Sequence, residues 1–112
     1  MQAADYQQGI MSRGWNDTAS ADNDTATATK AGVTGSSHFV THVSASFGGA
    51  ATKLLQIKDG DTVIWEKYVV NSDDIAFLIP LPITADNAVS AVLAASGTGG
   101  TLGKVNLVGF TV

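Results

Sequence analysis

The segment 54–70 constrains the fold more than any other part of the chain. It consists of two apolar runs, LLQI and TVIWEKYVV, that are separated by the polar residues KDGD at 58–61. Asp-Gly between runs rich in β-branched and aromatic residues is a strong hairpin signal, because a tight turn needs positive φ at both central positions. The segment therefore predicts a β-hairpin that turns on Asp59 and Gly60.

A two-residue turn at these positions also predicts the register of the hairpin. It places Leu55 opposite Ile64 and Lys53 opposite Glu66, so that apolar side chains and opposite charges face each other across the strands. A three-residue loop would instead place Lys53 against Lys67. We therefore expect the two-residue turn.

The chain from residue 27 onward continues this pattern of short strands. Apolar or alternating segments are separated by Gly, Asn, Asp and Ser, and no helical periodicity is present. The predicted strands cover residues 27–33, 38–47, 51–58, 62–70, 75–79, 88–95 and 102–112. About seven strands joined by turns predict an all-β fold, a single antiparallel β-sandwich over residues 27–112.

Three of these strands carry further expectations. In strand 38–47, alternation places His38 and His42 on one polar face and Phe39 on the opposite apolar face, with Val40 as an exception. Strand 75–79 is predicted to be buried. Pro80 and Pro82 cannot donate to a ladder, so we expect segment 80–82 to leave the sheet or to lie at its edge.

Residues 1–26 differ from the rest, since they are polar and carry four aspartates against a single arginine. Such a segment cannot bury enough apolar surface to fold alone. Four bulky side chains are nevertheless spaced through it: Tyr6, Ile10, Met11 and Trp15. They predict an extended N-terminal arm that contacts another protein, and the alternative is a tail with isolated apolar residues.

The composition indicates a protein built for contact. Of its 112 residues, 45% are hydrophobic and only 14% are charged, which leaves few charges to solvate the surface of a free monomer. The second strand of the hairpin has no wholly polar face. We therefore expect it to place one side on the core and the other on a second copy, with Trp65, Tyr68 and Val70 as the candidate oligomer interface.

Charge and hydropathy exclude several partners. The net charge is −4 and the six basic residues are scattered, whereas nucleic-acid binding requires clustered Lys and Arg. No apolar run approaches the roughly 20 residues of a membrane helix. Cysteine is absent, so neither a disulfide nor a thiolate site can form. We expect neither nucleic acid nor membrane as a partner.

No catalytic or cofactor site is predicted. His38 and His42 stand about 13 Å apart on a strand, too far to share a metal. The paired aspartates at 22 and 24, 59 and 61, and 73 and 74 match turns better than a calcium loop. Segment 96–105 lacks the Gly and the Ser or Thr of a phosphate-binding loop. These absences predict a protein that is not an enzyme and that holds neither cofactor nor metal.

Four segments together resemble the small virion proteins of tailed bacteriophages: HFVTHVSASF, ATKLLQIKDGDTVIWEKYVV, ITADNAVSAVLAASG and GKVNLVGFTV. The resemblance is to decoration (cement) proteins, and it implies a jelly-roll-like sandwich on the outer surface of the capsid. It further implies binding to the major capsid protein at local threefold axes, as a homotrimer. Two alternatives remain open at this point. A receptor- or carbohydrate-binding module would need an exposed aromatic platform, and a neck or tail subunit would differ in copy number.

Overall fold

Eight strands account for most of residues 13–112, the part of the chain that the computed structural model describes. In chain order they are β1 Gly14–Asp22, β2 Ala26–Lys30, β3 His38–Phe47, β4 Thr52–Asp59, β5 Thr62–Val70, β6 Ser72–Pro82, β7 Val89–Leu93 and β8 Leu102–Thr111. They form two antiparallel four-stranded sheets. The predicted all-β sandwich is thus confirmed, with one strand more than the expected seven.

The order of the strands is that of a jelly roll. The first sheet, called sheet A here, has the order β1-β8-β3-β6, and sheet B has the order β2-β7-β4-β5. Only β4 and β5 are consecutive strands of one sheet, and every other connection crosses from one sheet to the other. As a result β5 and β6 are the edge strands on one side of the sandwich, and β1 and β2 are the edge strands on the other.

The core lies between the two sheets and follows from the alternation of side chains along the strands. Val105 and Leu107 of β8 point inward from sheet A, and Leu55 and Ile57 of β4 do so from sheet B, all fully buried. Burying an aliphatic side chain of this size contributes about 1.5–3 kcal/mol. Because β8 lies between β1 and β3, residues 102–111 are held inside a sheet.

The hairpin is present, but its predicted register is wrong. Asp59 pairs with Thr62, so the loop consists of Gly60 and Asp61, and Gly60 takes the positive φ of 58°. A register shift between Ile57 and Lys58 follows. Beyond that shift the residues have other partners than predicted. Lys53 faces Val69, Glu66 faces Gln56, and Leu55 faces Lys67.

The reason for the shift lies outside the hairpin. The Asp59 carboxylate accepts hydrogen bonds from Thr84 N (3.0 Å), from Thr84 Oγ1 (2.7 Å) and from Asn87 Nδ2 (2.9 Å). Gly60 N also donates to the carbonyl oxygen of Ala88 at 2.9 Å. These contacts with the β6–β7 connection keep Asp59 at the end of β4, so the turn moves forward by one residue.

The Asp59 contacts predict an acid-sensitive contribution to stability. Burial raises the pKa of Asp59, but the hydrogen bonds from Thr84 and Asn87 outweigh it and bring the pKa below its ordinary value of 3.8. A carboxylate whose pKa is lowered by folding stabilises the fold above about pH 4 and loses this effect as the pH falls through the folded-state pKa. We expect Asp59→Asn to reduce stability at pH 7 by about 1 kcal/mol and to flatten its decline in acid.

Urea unfolding of Asp59→Asn between about pH 7 and pH 3 measures both effects. Asp61→Asn is the matched control, because it removes the same charge from the neighbouring turn position. An acid decline in Asp59→Asn as steep as that of the wild type would contradict the assignment.

A bulge in β3 corrects the predicted faces of that strand. The register shifts between Val40 and His42 against both neighbouring strands, which reverses the alternation at Thr41. His38 and Val40 are therefore buried, whereas His42 is exposed. Phe39, expected on the apolar face, instead stacks on the ring of Phe110 opposite it, with centroids 5.2 Å apart. The apolar Val40 in a polar register was the visible sign of this bulge.

Residues 14–26, which were assigned to the arm, belong to the sandwich. Strand β1 pairs with β8 along its whole length, from Gly14 opposite Phe110 to Asp22 opposite Leu102, and Ala26 begins β2. The inward side chains Trp15, Ala19 and Ala21 pack against the core. Apart from Trp15 the inward face consists of small or acidic residues, so the strand looks polar in the sequence. The other arm residues, 1–12, lie outside the described residues.

Candidate interaction surfaces

The most unusual feature of the surface is an apolar edge formed by β5 and β6. Of nine large apolar side chains that are exposed in the described part of the chain, six lie on these two strands. We call them the β5–β6 surface: Val63, Ile64, Tyr68, Val70, Leu78 and Ile79. Large exposed apolar patches mark interaction sites in soluble proteins, so an edge with six such side chains on two neighbouring strands is the main candidate for a contact surface.

The predicted oligomer-interface residues lie in two environments. Tyr68 is 67% exposed and Val70 is 62% exposed, both on the outer side of the edge strand β5. Trp65 is half-buried, and its ring packs edge-on against Phe77 of β6, with centroids 5.5 Å apart. Tyr68 and Val70 are thus accessible to a partner, whereas Trp65 mainly joins the two sheets at this edge.

Leu78 and Ile79 are the most exposed large apolar residues of the edge, although strand 75–79 was expected to be buried. Between the pairs Val40–Leu81 and His42–Ala76, residues 77–80 of β6 face only Thr41 of β3. The extra residues bulge out of the sheet and leave Leu78 99% and Ile79 80% exposed. We call residues 77–80 the β6 bulge. The expectation that the proline-containing segment lies at a sheet edge is confirmed.

Two polar contacts lie at the edge formed by β5 and β6. Lys67 of β5 forms an ion pair with Asp73 of β6, and the Lys67 ammonium lowers the pKa of the Asp73 carboxyl below 3.8. Gln56 Nε2 donates to the Glu66 carboxylate at 2.9 Å. A second protein surface can therefore cover Lys67 and Asp73 without leaving either charge unpaired, whereas the edge as a whole stays acidic.

The opposite side of the sandwich is organised around His38, which is buried. Trp15 Nε1 donates to Thr111 Oγ1 at 3.0 Å, and Thr111 Oγ1 lies 2.7 Å from His38 Nδ1. His38 Nε2 lies 2.8 Å from the carbonyl oxygen of Ala31, which can only accept. The proton is therefore on Nε2, and the Thr111 hydroxyl donates to Nδ1. These bonds fix the Trp15 indole, which was predicted as an arm contact, within the sandwich.

Replacing Thr111 by valine tests this network. The substitution keeps the side-chain shape but leaves Trp15 Nε1 and His38 Nδ1 without their partner, so we expect a loss of about 2 kcal/mol in the free energy of unfolding. Thr29→Val is the control, because the Thr29 hydroxyl bonds to Ser90 Oγ at an exposed site. Equal effects of the two substitutions in urea unfolding would show that the buried network does not stabilise the fold.

Beside Trp15 the surface contains an open cavity of about 360 Å³, which we call the edge cavity. Its lining includes the apolar side chains of Trp15, Val33 and Val112 together with the cationic side chains of Arg13 and Lys30. Val33 is 44% exposed and Val112 is 61% exposed. The cavity combines apolar walls with positive charge, which suits an apolar side chain that has acidic neighbours.

The remaining predicted site residues add no chemical centre. Within residues 13–112, no group of three or more His, Cys, Asp or Glu side chains is placed to hold a metal. His42 is exposed, and its Nδ1 lies 3.1 Å from Thr41 Oγ1. No helix among the described residues is long and apolar enough to cross a membrane. Three predicted contact residues, Tyr6, Ile10 and Met11, lie outside the described part of the chain.

Comparison with known proteins shows a shared fold. No protein family and no curated protein matches the sequence. A chain in the acidic stable capsid structure of Helicobacter pylori bacteriophage KHP30 superposes with a TM-score of 0.54 and 11% identity, over 89% of this chain and 93% of that chain. A CBM36-1 domain of a xylanase from the hindgut metagenome of Trinervitermes trinervoides gives a TM-score of 0.46 at 12% identity, over 82% and 73% of the two chains.

Proposed function

We propose that the protein is a non-enzymatic structural subunit of a phage virion, located on the outer surface of the capsid. In this role it binds the major capsid protein, and it does so as a homo-oligomer, a trimer at local threefold axes. The observation that carries the proposal is the β5–β6 surface, an apolar edge on a sandwich whose interior is already filled. Such an edge serves adhesion to other subunits.

Two further observations support this role. The fold is shared along nearly the whole length of a chain in a phage capsid structure. The net charge of −4 suits a protein on the outside of a capsid better than one that lines packaged DNA, because phosphates repel an acidic surface. The first observation supports a virion role, and the second supports the outer position.

In this proposal the N-terminal residues add contacts with the capsid. Tyr6, Ile10 and Met11 precede β1, and Trp15 anchors the start of that strand through its bond to Thr111. Several weak contacts on one oligomer reinforce one another, because each contact after the first is intramolecular. The resulting attachment is firm although each single contact is weak.

The copy number in purified virions, measured by quantitative mass spectrometry, tests the proposal together with antibody labelling of intact particles. A decoration protein is expected in hundreds of copies that antibodies reach on the head. A neck or tail ring would contain about a dozen copies, as its point symmetry requires. Either that low number or absence from the particle would overturn the proposed position.

A further inference from the structure

Eight of the nine large apolar side chains that are exposed in residues 13–112 lie at the two opposite edges of the sandwich. Six of the nine in residues 13–112 form the β5–β6 surface, and Val33 and Val112 line the edge cavity beside β1 and β2. One edge projects, since Leu78 and Ile79 stand out on the β6 bulge. The other edge is concave. A projection and a cavity on opposite edges of one molecule are the two halves of a head-to-tail contact between copies.

The projection and the cavity also lie at the same position along the strand direction of sheet A. Partner residues traced across the sheet run from Trp15 through Gly109 and Val40 to Leu81. The next row runs from Asn16 through Val108 and His42 to Ala76. The β6 bulge lies between Ala76 and Leu81, so it is level with Trp15, which lines the cavity. Two copies that dock with their strands parallel therefore meet at these sites without a shift along the strands.

Size and charge agree with this pairing. An apolar cavity of roughly 150 Å³ holds one benzene molecule, so the edge cavity of about 360 Å³ has room for two aliphatic side chains. Its described lining carries the cations Arg13 and Lys30 and no acidic side chain. The edge segment 61–79 carries four acidic residues and one lysine. Acidic and basic surfaces thus meet when the bulge of one copy enters the cavity of another.

We infer that copies of this chain assemble head to tail, with Leu78 and Ile79 of one copy inserted into the edge cavity of the next. The contact is heterologous. It closes into a ring when successive copies are rotated by one third of a turn, as the trimer of the proposed function requires, and otherwise it forms an open filament. This inference adds the contact surfaces to the homo-oligomer of the proposed function. The number of copies, three, rests on that proposed function. The contact itself does not depend on a capsid.

Disulfide trapping in the purified protein tests the inference, because the natural chain contains no cysteine. Val33→Cys and Leu78→Cys place one thiol at each half of the contact. Co-expressed and oxidised, the two single variants should give disulfide-linked dimers in at least tenfold excess over either variant alone. The double variant should close into a covalent ring that migrates as a trimer on a non-reducing gel.

Leu102→Cys is the control, since Leu102 is 43% exposed but lies on neither edge. It should not link to Leu78→Cys. Self-linking of Leu78→Cys as efficient as the mixture would show a symmetric contact and overturn the inference, as would the absence of linking in a protein that remains monomeric. Since trapping uses the isolated protein, its failure is distinguishable from a failure of the virion measurement.

Discussion

Replacing Gly109 by alanine is expected to destabilise the protein by more than about 3 kcal/mol, the upper end of ordinary overpacking in a core. A Cβ atom at this position of β8 would lie 2.1 Å from the carbonyl oxygen of Phe39 and 2.6 Å from Trp15 Cζ2. The carbonyl belongs to the neighbouring strand and cannot move without disturbing the ladder. Thermal unfolding should show a midpoint lowered by more than about 12 °C.

Gly99→Ala provides the matched control for this substitution. No heavy atom lies within 4 Å of a Cβ built on Gly99, so we expect a change within about 0.5 kcal/mol. Should the two variants unfold at the same urea concentration, the close approach of β8 to β3 and Trp15 would be disproved.

Replacing both Leu78 and Ile79 by serine is expected to leave the fold intact and to abolish assembly. Both side chains are almost fully exposed in the single chain, so their loss should change the free energy of unfolding by less than about 0.5 kcal/mol. In the proposed contact they become buried, and their removal should cost about 3 kcal/mol, roughly a hundredfold in the dissociation constant. Light scattering during size-exclusion chromatography measures the mass directly.

Leu102→Ser is the control for that experiment, because it removes an exposed leucine outside both edges. It should retain the mass of the wild type. A doubly substituted protein that assembles as well as this control would show that the β6 bulge takes no part in self-association. An unfolded protein would show that the bulge stabilises the sandwich itself.

The sequence predicts most of the fold because most strands carry their signal locally. The seven segments expected from residue 27 onward correspond to β2 through β8. Strand β1 was not recognised, because its inward face consists of Trp15, two alanines and Asp17. The Asp17 Oδ2 atom is buried and has no hydrogen-bond partner among the described residues. A strand that places a carboxylate inward cannot be distinguished by hydropathy from a polar tail.

The details that the sequence did not reveal depend on contacts between distant residues. The turn of the hairpin is displaced by the bonds from Thr84 and Asn87 to Asp59, and these bonds span 25 and 28 positions. The inward and outward sides of β3 are exchanged at a bulge, and Val40 in a polar register is its one indication in the sequence. Local pattern fixes which segments are strands, whereas register depends on what the rest of the sandwich places beside them.

The candidate surfaces were predictable only where the local sequence pattern indicates exposure. Tyr68 and Val70 were identified because β5 has no polar face, and both are exposed. Leu78 and Ile79 were assigned to a buried strand, since five consecutive apolar residues normally indicate burial. The signal that could have corrected this is Pro80, which follows at once and weakens the case for a central strand.

The prolines of β6 have a consequence for the pairing of further strands at this edge. An open sheet edge with free amide groups recruits further strands and leads to fibres. Residues 80 and 82 have no amide hydrogen to offer, and the bulge beside them interrupts the straight run that an incoming strand would follow. The β6 edge is therefore a poor template for an added strand of the amyloid type.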